Sequence, residues 1–144
     1  MTGIEYIPSE DQEQELVIQW CDRMEQKYPG VSRIFAVPNG GHRNKTTAAR
    51  MKRTGTRAGV PDLFLPVPRG EYHGLFIEMK RRKGGQVSLL QKDYLIFLHD
   101  NGYACAVCKG YDEAVQAITD YYNLNELQLL KYLESIQKYF RRWR

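Results

Sequence analysis

Long apolar runs are missing from this sequence: none approaches the roughly 18 residues that a transmembrane helix needs. The N-terminus also lacks the basic segment followed by an apolar segment that marks a secretory signal peptide. Cysteine is scarce, and three cysteines, an odd number, do not form a disulfide framework. We therefore expect a soluble protein of the reducing intracellular compartment, with no membrane as a partner.

Two of the cysteines, Cys105 and Cys108, have the spacing of a zinc-binding pair, but no second pair follows at ligand spacing. They lie in Tyr103–Cys108, a stretch typical of a β-strand, where residues three apart face opposite sides of the sheet. We predict that both are core residues. The sequence also lacks a zinc module and an obvious base-reading helix, which disfavours sequence-specific recognition of DNA.

Acidic residues are absent from the whole stretch between Gln26 and Pro61. Eight basic residues lie there: Lys27, Arg33, Arg43, Lys45, Arg50, Lys52, Arg53 and Arg57. A run of like charge is usually only a solvated surface. This run leads directly into a pair of acidic strand ends, and a polyanion that has to reach carboxylates needs a basic lining. We therefore predict that the basic residues from Arg43 to Arg57 bind the DNA backbone.

Those acidic strand ends belong to two apolar runs, Gly59–Leu65 and Gly74–Lys80, which we predict to be neighbouring strands. Glu78 and Lys80 share one face of the second strand, because alternate side chains of a strand point the same way. Charges at the end of a buried strand cost desolvation free energy unless an ion or a substrate satisfies them. Asp62, Glu78 and Lys80 are therefore our candidate active site.

The chemistry of these three groups is specific. Two converging carboxylates form an all-oxygen site suited to a hard divalent cation such as Mg²⁺, and Mn²⁺ suits the same ligands. A lysine beside them can orient or activate a metal-bound water, or offset the charge that builds on a phosphate. Acid, acid and lysine around one metal indicate phosphodiester hydrolysis.

The motifs that carry these residues resemble the VRR-NUC family of the PD-(D/E)xK nuclease superfamily, in its stand-alone phage and bacterial form. The Glu-x-Lys motif begins sixteen residues after Asp62. The matching segments, in order, are Pro38-Asn39-Gly40-Gly41, Gly59-Val60-Pro61-Asp62, Ile77-Glu78-Met79-Lys80, Val87-Ser88-Leu89-Leu90-Gln91 and Gly102-Tyr103. The likeness extends from about Ser9 to Ala117, and we expect residues 118–144 to form a C-terminal helical extension of a single domain.

The resemblance implies a metal-dependent endodeoxyribonuclease of a bacterial or phage-infected cytoplasm. By its pattern, Asp62, Glu78 and the backbone carbonyl of Met79 bind Mg²⁺, Lys80 activates the attacking water and Gln91 assists. It further implies structure-selective cutting of branched DNA, such as Holliday junctions. A homodimer is attractive on these grounds, because one metal centre cuts one strand and a symmetric substrate needs two.

The family pattern also includes a helix glutamate at the metal site and a glutamine one turn later, which correspond here to Glu10 and to Gln14, the latter as a predicted DNA contact. Glu13 is the rival for the glutamate. Independently, Glu10 is well placed at the positive end of a helix dipole, without any role in metal binding. Gln91 likewise has a second interpretation as the third residue of a capping box that Ser88 begins, and the two roles are compatible.

The order helix, strand, strand, strand, helix, strand predicts an α/β fold, with a restriction-endonuclease-like mixed sheet flanked by helices. The first helix begins after Ser9, with Gln12 completing a capping box, and a short helix covers Asn44–Arg53. Arg33–Val37 is predicted as a strand, and Asp112 as the cap of a later helix.

Helical spacing selects the residues that we expect to be buried. They are Leu16, Val17, Trp20, Cys21 and Met24 in the first helix, Leu90, Tyr94, Phe97 and Leu98 in the helix after Ser88, and Ala114, Val115, Ile118 and Tyr122 in the helix after Asp112. The C-terminal extension carries a stripe of its own, which is compatible with docking on the core, pairing with a second copy or contacting nucleic acid.

Two other functions share these features. A DNA-binding accessory protein could keep the nuclease fold without cutting, although the intact Asp62, Glu78 and Lys80 argue against it. A sequence-specific restriction-type endonuclease would use the same chemistry and differ only in recognition.

Overall fold

The computed structural model describes residues 3–38 and 44–124. Three sequence predictions lie outside the described residues: the phosphate contact of Arg43, the part of the turn motif at 39–41, and the helical extension from residue 125 onward.

The helices and strands of the described chain follow the predicted order, and the short helix predicted from Asn44 to Arg53 lies between the first two strands. The elements are α1 (Glu10–Arg23), a short 3-10 helix (Val31–Arg33), β1 (Phe35–Ala36), α2 (Lys45–Arg53), β2 (Leu63–Leu65), β3 (Leu75–Lys80), α3 (Leu89–Asp100), β4 (Ala104–Lys109) and α4 (Tyr111–Asn123). The predicted α/β class, with a mixed sheet flanked by helices, is confirmed.

The four strands form one sheet in the order β1-β2-β3-β4. β1 pairs with β2 and β2 with β3 in antiparallel fashion, whereas β3 and β4 are parallel. Parallel neighbours need a crossover, which α3 provides between β3 and β4. The candidate site lies at the carboxyl end of β3, where this crossover begins.

Each face of the sheet has its own apolar cluster. One cluster joins residues of α1, the strands and α4, including Val17, Ile77 and Cys108, and the other joins Leu95 and Leu98 of α3 to Cys105. Cys105 and Cys108 are thus buried on opposite faces, as the strand periodicity predicts, and all three cysteines are buried free thiols. Burial raises the pKa of Cys105 to about 12, which suits core residues.

Helix α1 begins as predicted, but its buried stripe is narrower than the sequence indicated. Ser9 and Gln12 form the expected capping box. Val17 and Cys21 are fully buried, whereas Leu16 is 45% exposed, so its predicted burial is wrong. The stripe that faces the sheet follows Glu13, Val17 and Cys21 at i, i+4 and i+8, and Leu16 lies beside it.

In helix α3, too, residues that helical spacing selected for the core are exposed. Leu95 and Leu98 are buried, while Leu90 is 59% and Phe97 61% exposed, so the predicted burial of Leu90 and Phe97 is wrong. Stripes 90-94-97 and 91-95-98 both satisfy helical spacing. The stripe with Leu95 and Leu98 is the one that faces the sheet, where it packs against Cys105 of β4.

Strand β1 is shorter than the predicted Arg33–Val37, because residues 31–33 form a 3-10 turn instead. The Glu25 carboxylate causes this, since it accepts hydrogen bonds from the backbone N–H groups of Gly30 (2.6 Å) and Ser32 (3.0 Å). Gly30 has φ 90°, a conformation that favours glycine.

Helix α4 begins at Tyr111 after Gly110, so Asp112 is a first-turn residue and not the predicted cap. The predicted burial of Ala114, Ile118 and Tyr122 is confirmed, and Val115 is half-buried. Among residues 3–38 and 44–124, no helix has the length and apolar content to cross a membrane.

Candidate active site

Strand pairing places Asp62 opposite Glu78. Leu63 pairs with Ile77 in the antiparallel register, and the next step in that register sets Asp62 against Glu78. The backbone carbonyl of Lys80 accepts from the N–H of Gly110 (3.1 Å), the residue just after β4. Alternate residues of β3, Glu78 among them, therefore direct their backbone N–H and C=O groups toward β4 and away from β2. Asp62 and Glu78 are therefore a non-hydrogen-bonded pair, the arrangement that brings facing side chains closest.

Pro61 then falls opposite Met79, at a position where a regular ladder would exchange hydrogen bonds. Proline has no N–H to donate to the Met79 carbonyl. The Met79 N–H donates instead to Asp62 Oδ2 at 2.7 Å, which fixes the carboxylate at the end of β2. The Met79 N–H thus holds the acid in place, and Pro61 leaves the Met79 carbonyl without a backbone donor at the facing position.

Glu78, Lys80 and Gln91 form a closed triangle of contacts. Lys80 Nζ lies 3.1 Å from Glu78 Oε1 and donates to Gln91 Oε1 at 3.0 Å. Gln91 Nε2 donates to Glu78 Oε1 at 2.8 Å. Gln91 also forms the capping box with Ser88. It therefore lies beside Glu78 and Lys80 and caps α3 at the same time, as both interpretations of the sequence predicted.

Glu78 is a buried acid that faces a second negative charge. Its side chain is 1% exposed, and Oε2 finds no hydrogen-bond donor within the described part of the chain. Burial, and next the negative charge of Asp62, raise the pKa of Glu78 to about 8, while the Lys80 ammonium opposes the shift. A buried oxygen without a donor, facing a second carboxylate, fits a hard divalent cation in chemistry and in charge.

A third carboxylate does not join this pair in the described structure. No group of three or more His, Cys, Asp or Glu side chains converges there, in residues 3–38 and 44–124. Glu10 is exposed on the first turn of α1 and makes no hydrogen bond or ion pair with the described residues. The structure therefore does not bring Glu10 to Asp62 and Glu78, and the carboxylates that it places opposite each other are these two.

The rival acid, Glu13, is fully buried and already has partners. Its Oε1 accepts from Arg82 Nε (2.8 Å) and from the Tyr111 N–H (3.1 Å), and lies 2.7 Å from Arg82 Nη2. A Cβ on Gly110 would lie 2.8 Å from this oxygen, so a glycine is needed there. Glu13 thus connects α1 to the ends of β3 and β4, a role that sequence reasoning missed.

The predicted phosphate-binding residues are exposed wherever the structure describes them. Lys45, Arg50, Lys52 and Arg53 lie on α2, which has no buried residue, and Arg57 follows it. Gln14, the remaining predicted contact, is half-buried on α1.

Gly59 ties the end of this basic segment to α3. It has φ 91°, and a Cβ there would lie 2.6 Å from the carbonyl oxygen of Leu90. Only glycine lets the backbone pass so close, and the passage places the segment beside the first turn of α3, where Gln91 lies.

Comparison with known proteins agrees with the motifs. The model of the VRR-NUC domain matches residues 9–112, a span that contains every element from α1 to β4. A solved structure described as a "VRR_NUC domain protein" is 34% identical in sequence and superposes with a TM-score of 0.70. That alignment covers 83% of this chain and 92% of the other. No curated protein matches the chain.

Proposed function

The chain belongs to the VRR-NUC family of nuclease-type domains, and on that premise we propose that it is a magnesium-dependent endodeoxyribonuclease. The observation that supports this most directly is the buried Glu78 Oε2, which has no donor in the described structure and faces Asp62 across the β2–β3 pair. A protein that only bound DNA would have no use for a buried carboxylate that faces a second one, since their mutual repulsion costs stability.

Asp62, Glu78 and the Met79 carbonyl would hold the Mg²⁺, and Mn²⁺ would suit the same oxygens. When bound, the ion supplies a Lewis acid and a low-pKa water for attack on phosphorus. Asp62 is held in position by the Met79 N–H, and Glu78 by Gln91 and Lys80, so neither carboxylate needs to reorganise when the ion binds.

Lys80 is placed to orient the attacking water. An ammonium group has three donors. Glu78 Oε1 and Gln91 Oε1 engage two of them, which fixes Nζ at one point and leaves the third for a water or for a phosphate oxygen. Its positive charge would also offset the negative charge that develops in the transition state.

For the substrate we propose branched DNA, including four-way junctions. The cations of α2 and Arg57 would bind its backbone without reading sequence, since phosphate contacts position DNA but do not specify it. We further propose that the enzyme acts as a homodimer, because paired cuts in a symmetric junction require two sites.

The test is cleavage of labelled four-way junction, flap and plain duplex DNA with Mg²⁺, with Mn²⁺ and with chelator. Wild type is compared with Glu78→Ala and with Glu71→Ala, a control that removes an exposed glutamate outside the site. We expect metal-dependent cutting, fastest on branched DNA, that Glu78→Ala abolishes and Glu71→Ala retains.

Other outcomes identify other functions. Tight binding without cutting in either metal would establish an accessory DNA-binding protein. Cutting of plain duplex at one defined sequence would establish a restriction-type enzyme, and cutting by Glu78→Ala at the wild-type rate would place the active site elsewhere.

A further inference from the structure

A row of aromatic rings crosses the sheet next to the candidate active site. Phe35 of β1 and Phe64 of β2 meet edge to face with ring centroids 5.6 Å apart. Phe64 stacks on Phe76 of β3 at 4.3 Å. We call these three rings, Phe35, Phe64 and Phe76, the aromatic ledge.

The ledge lies on the same face of the sheet as the carboxylates. Phe35, Phe64 and Phe76 are successive cross-strand partners in the register. Asp62 is two residues from Phe64 and Glu78 two residues from Phe76, so the acidic pair and the aromatic pair are alternate rungs on one face. At about 3.3 Å per residue, the two rungs are roughly 7 Å apart.

The helix on this face covers only half of the ledge. Phe76 packs against the buried cluster that Leu95 and Leu98 of α3 form, whereas Phe35 and Phe64 pack against neither buried cluster. Phe35 is 49% exposed. Phe64 and Phe76 are half-buried. The ledge therefore presents one exposed ring, that of Phe35, in an aromatic row that runs beside the charged site.

The charge of the connecting segment indicates which ligand the ledge takes. The segment that joins β1 to β2, and so connects two of the three rings, includes the basic helix α2 and contains no acid before Asp62, which belongs to the candidate site itself. Aromatic rings interleaved with cations are the combination that binds single-stranded nucleic acid, with bases on the rings and phosphates on the cations. Base faces inside a duplex are already stacked, so only an unpaired base can use such rings.

We propose that the aromatic ledge binds an unpaired nucleobase of the DNA strand whose phosphate lies at Asp62 and Glu78. The inference rests on the proposed nuclease function and adds to it a preference for substrates with an unpaired nucleotide beside the cut. The roughly 7 Å between the two rungs is about the length of one extended nucleotide, so one strand can occupy both at once.

The first experiment measures binding by anisotropy, in chelator, of a labelled single strand and of the corresponding duplex. The variants are Phe35→Ala, Phe35→Leu, which keeps an apolar side chain without a ring, and Phe35→Trp, which keeps a ring. Phe97→Ala is the matched control, since Phe97 is a phenylalanine of α3 with 61% exposure and no ring contact among the described residues.

We expect Phe35→Ala and Phe35→Leu to lose about tenfold in affinity for the single strand, with Phe35→Trp and Phe97→Ala at the wild-type level and duplex binding unchanged. A single-strand affinity of Phe35→Leu equal to that of wild type would overturn the proposal. So would an equal loss on both DNAs, or a change in oligomeric state without a change in single-strand binding, which would make the ledge an interface between copies.

A second experiment separates this proposal from the nuclease function. The same variants are tested in Mg²⁺ on a duplex and on a duplex with one unpaired nucleotide at the cut. The proposal predicts that Phe35→Ala slows cutting of the second substrate selectively, and equal slowing of both would contradict it. If wild type cuts neither while the pattern of single-strand binding holds, the nuclease function fails and the base-binding site stands.

Discussion

Lys80 is the residue whose removal should separate cutting from binding. Its ammonium contacts Glu78 and Gln91, but the predicted DNA-binding cations lie on a different element. We expect Lys80→Ala to cut at least about 100-fold more slowly, the usual scale for a group that handles the attacking water. Single-turnover cleavage and anisotropy measure the two effects.

Lys83→Ala is the control for that variant, because Lys83 ends the basic stretch Lys80–Lys83 but pairs with the exposed Glu5. It should cut at the wild-type rate. Unchanged cutting by Lys80→Ala would remove Lys80 from the mechanism, and a parallel loss of DNA affinity would make it a binding residue.

Glu25 should make the free energy of unfolding depend measurably on pH in the acid range. Hydrogen bonds from the Ser32 hydroxyl, and then from the N–H groups of Gly30 and Ser32, lower the pKa of Glu25 below its ordinary value of 4.5. A lowered folded-state pKa means that the unfolded chain binds the proton more tightly, so the stabilisation is present above pH 4.5 and is lost as pH falls through the folded value.

Urea unfolding at pH 7 and pH 3 tests this for wild type, Glu25→Gln and the exposed control Glu15→Gln. We expect Glu25→Gln to lower the free energy of unfolding at pH 7, and the difference from wild type to shrink at pH 3. A difference of the same size at both pH values would show that the carboxylate charge has no part in stabilising the turn.

For single residues, the sequence predicted contacts between near neighbours in the chain and missed contacts between residues far apart in it. The shared face of Glu78 and Lys80 follows from strand periodicity alone, and Gln91 from its place in a capping box. The pairing of Glu13 with Arg82 joins residues 69 positions apart, and no local pattern announces it. A buried acid has to find a partner, but the sequence does not say which of the 21 basic residues it is.

Helix α2 is the element on which the proposed DNA-backbone binding is best tested. No residue of it is buried, so its surface residues can be replaced without loss of stability. Replacing Lys52 and Arg53 together by Ala should weaken DNA binding and reduce the slope of log affinity against log salt by about two, if each residue contacts one phosphate. Anisotropy titrations at several salt concentrations give this slope.

The charge-matched control is Arg23→Ala with Lys27→Ala, which removes two exposed cations at the end of α1. It should leave the slope nearly unchanged. An unchanged slope for the α2 variant would make that helix a solvated surface only.

Element boundaries were predictable where side chains cap the backbone. Ser9, Asn44 and Ser88 each begin a helix as their hydroxyl or amide chemistry requires. The buried stripes of α1 and α3 were only partly predictable, because two adjacent stripes of a helix can both be apolar. Which of them meets the sheet depends on neighbours that are distant in the chain.

For the whole molecule, the element order was sufficient to predict the mixed sheet. Short antiparallel connections place β2 beside β3, and a helix between β3 and β4 makes that pair parallel. The family motifs then located the site at the end of β3. The order of the helices and strands does not determine the oligomeric state, because that depends on the residues at the protein surface and not on how the elements are connected.

The homodimer proposal has a direct consequence for the products of cutting. A dimer should elute and scatter light at twice the chain mass, and should cut both strands of a four-way junction during one binding event. Mixing wild type with excess Glu78→Ala would then yield mainly single nicks. A chain that has the mass of a monomer and still makes paired cuts would contradict the proposal.

The hydrogen bond from the Met79 amide to Asp62 makes one backbone proton a reporter of the site. Its partner is a side-chain carboxylate, whereas its neighbours along β3 bond to other strands. A cation that draws charge from Asp62 would shift the Met79 resonance in an amide NMR spectrum more than those of the adjacent residues. The contact between this amide and the Asp62 carboxylate thus leaves the occupancy of the site readable in a single spectral line, without any substrate present.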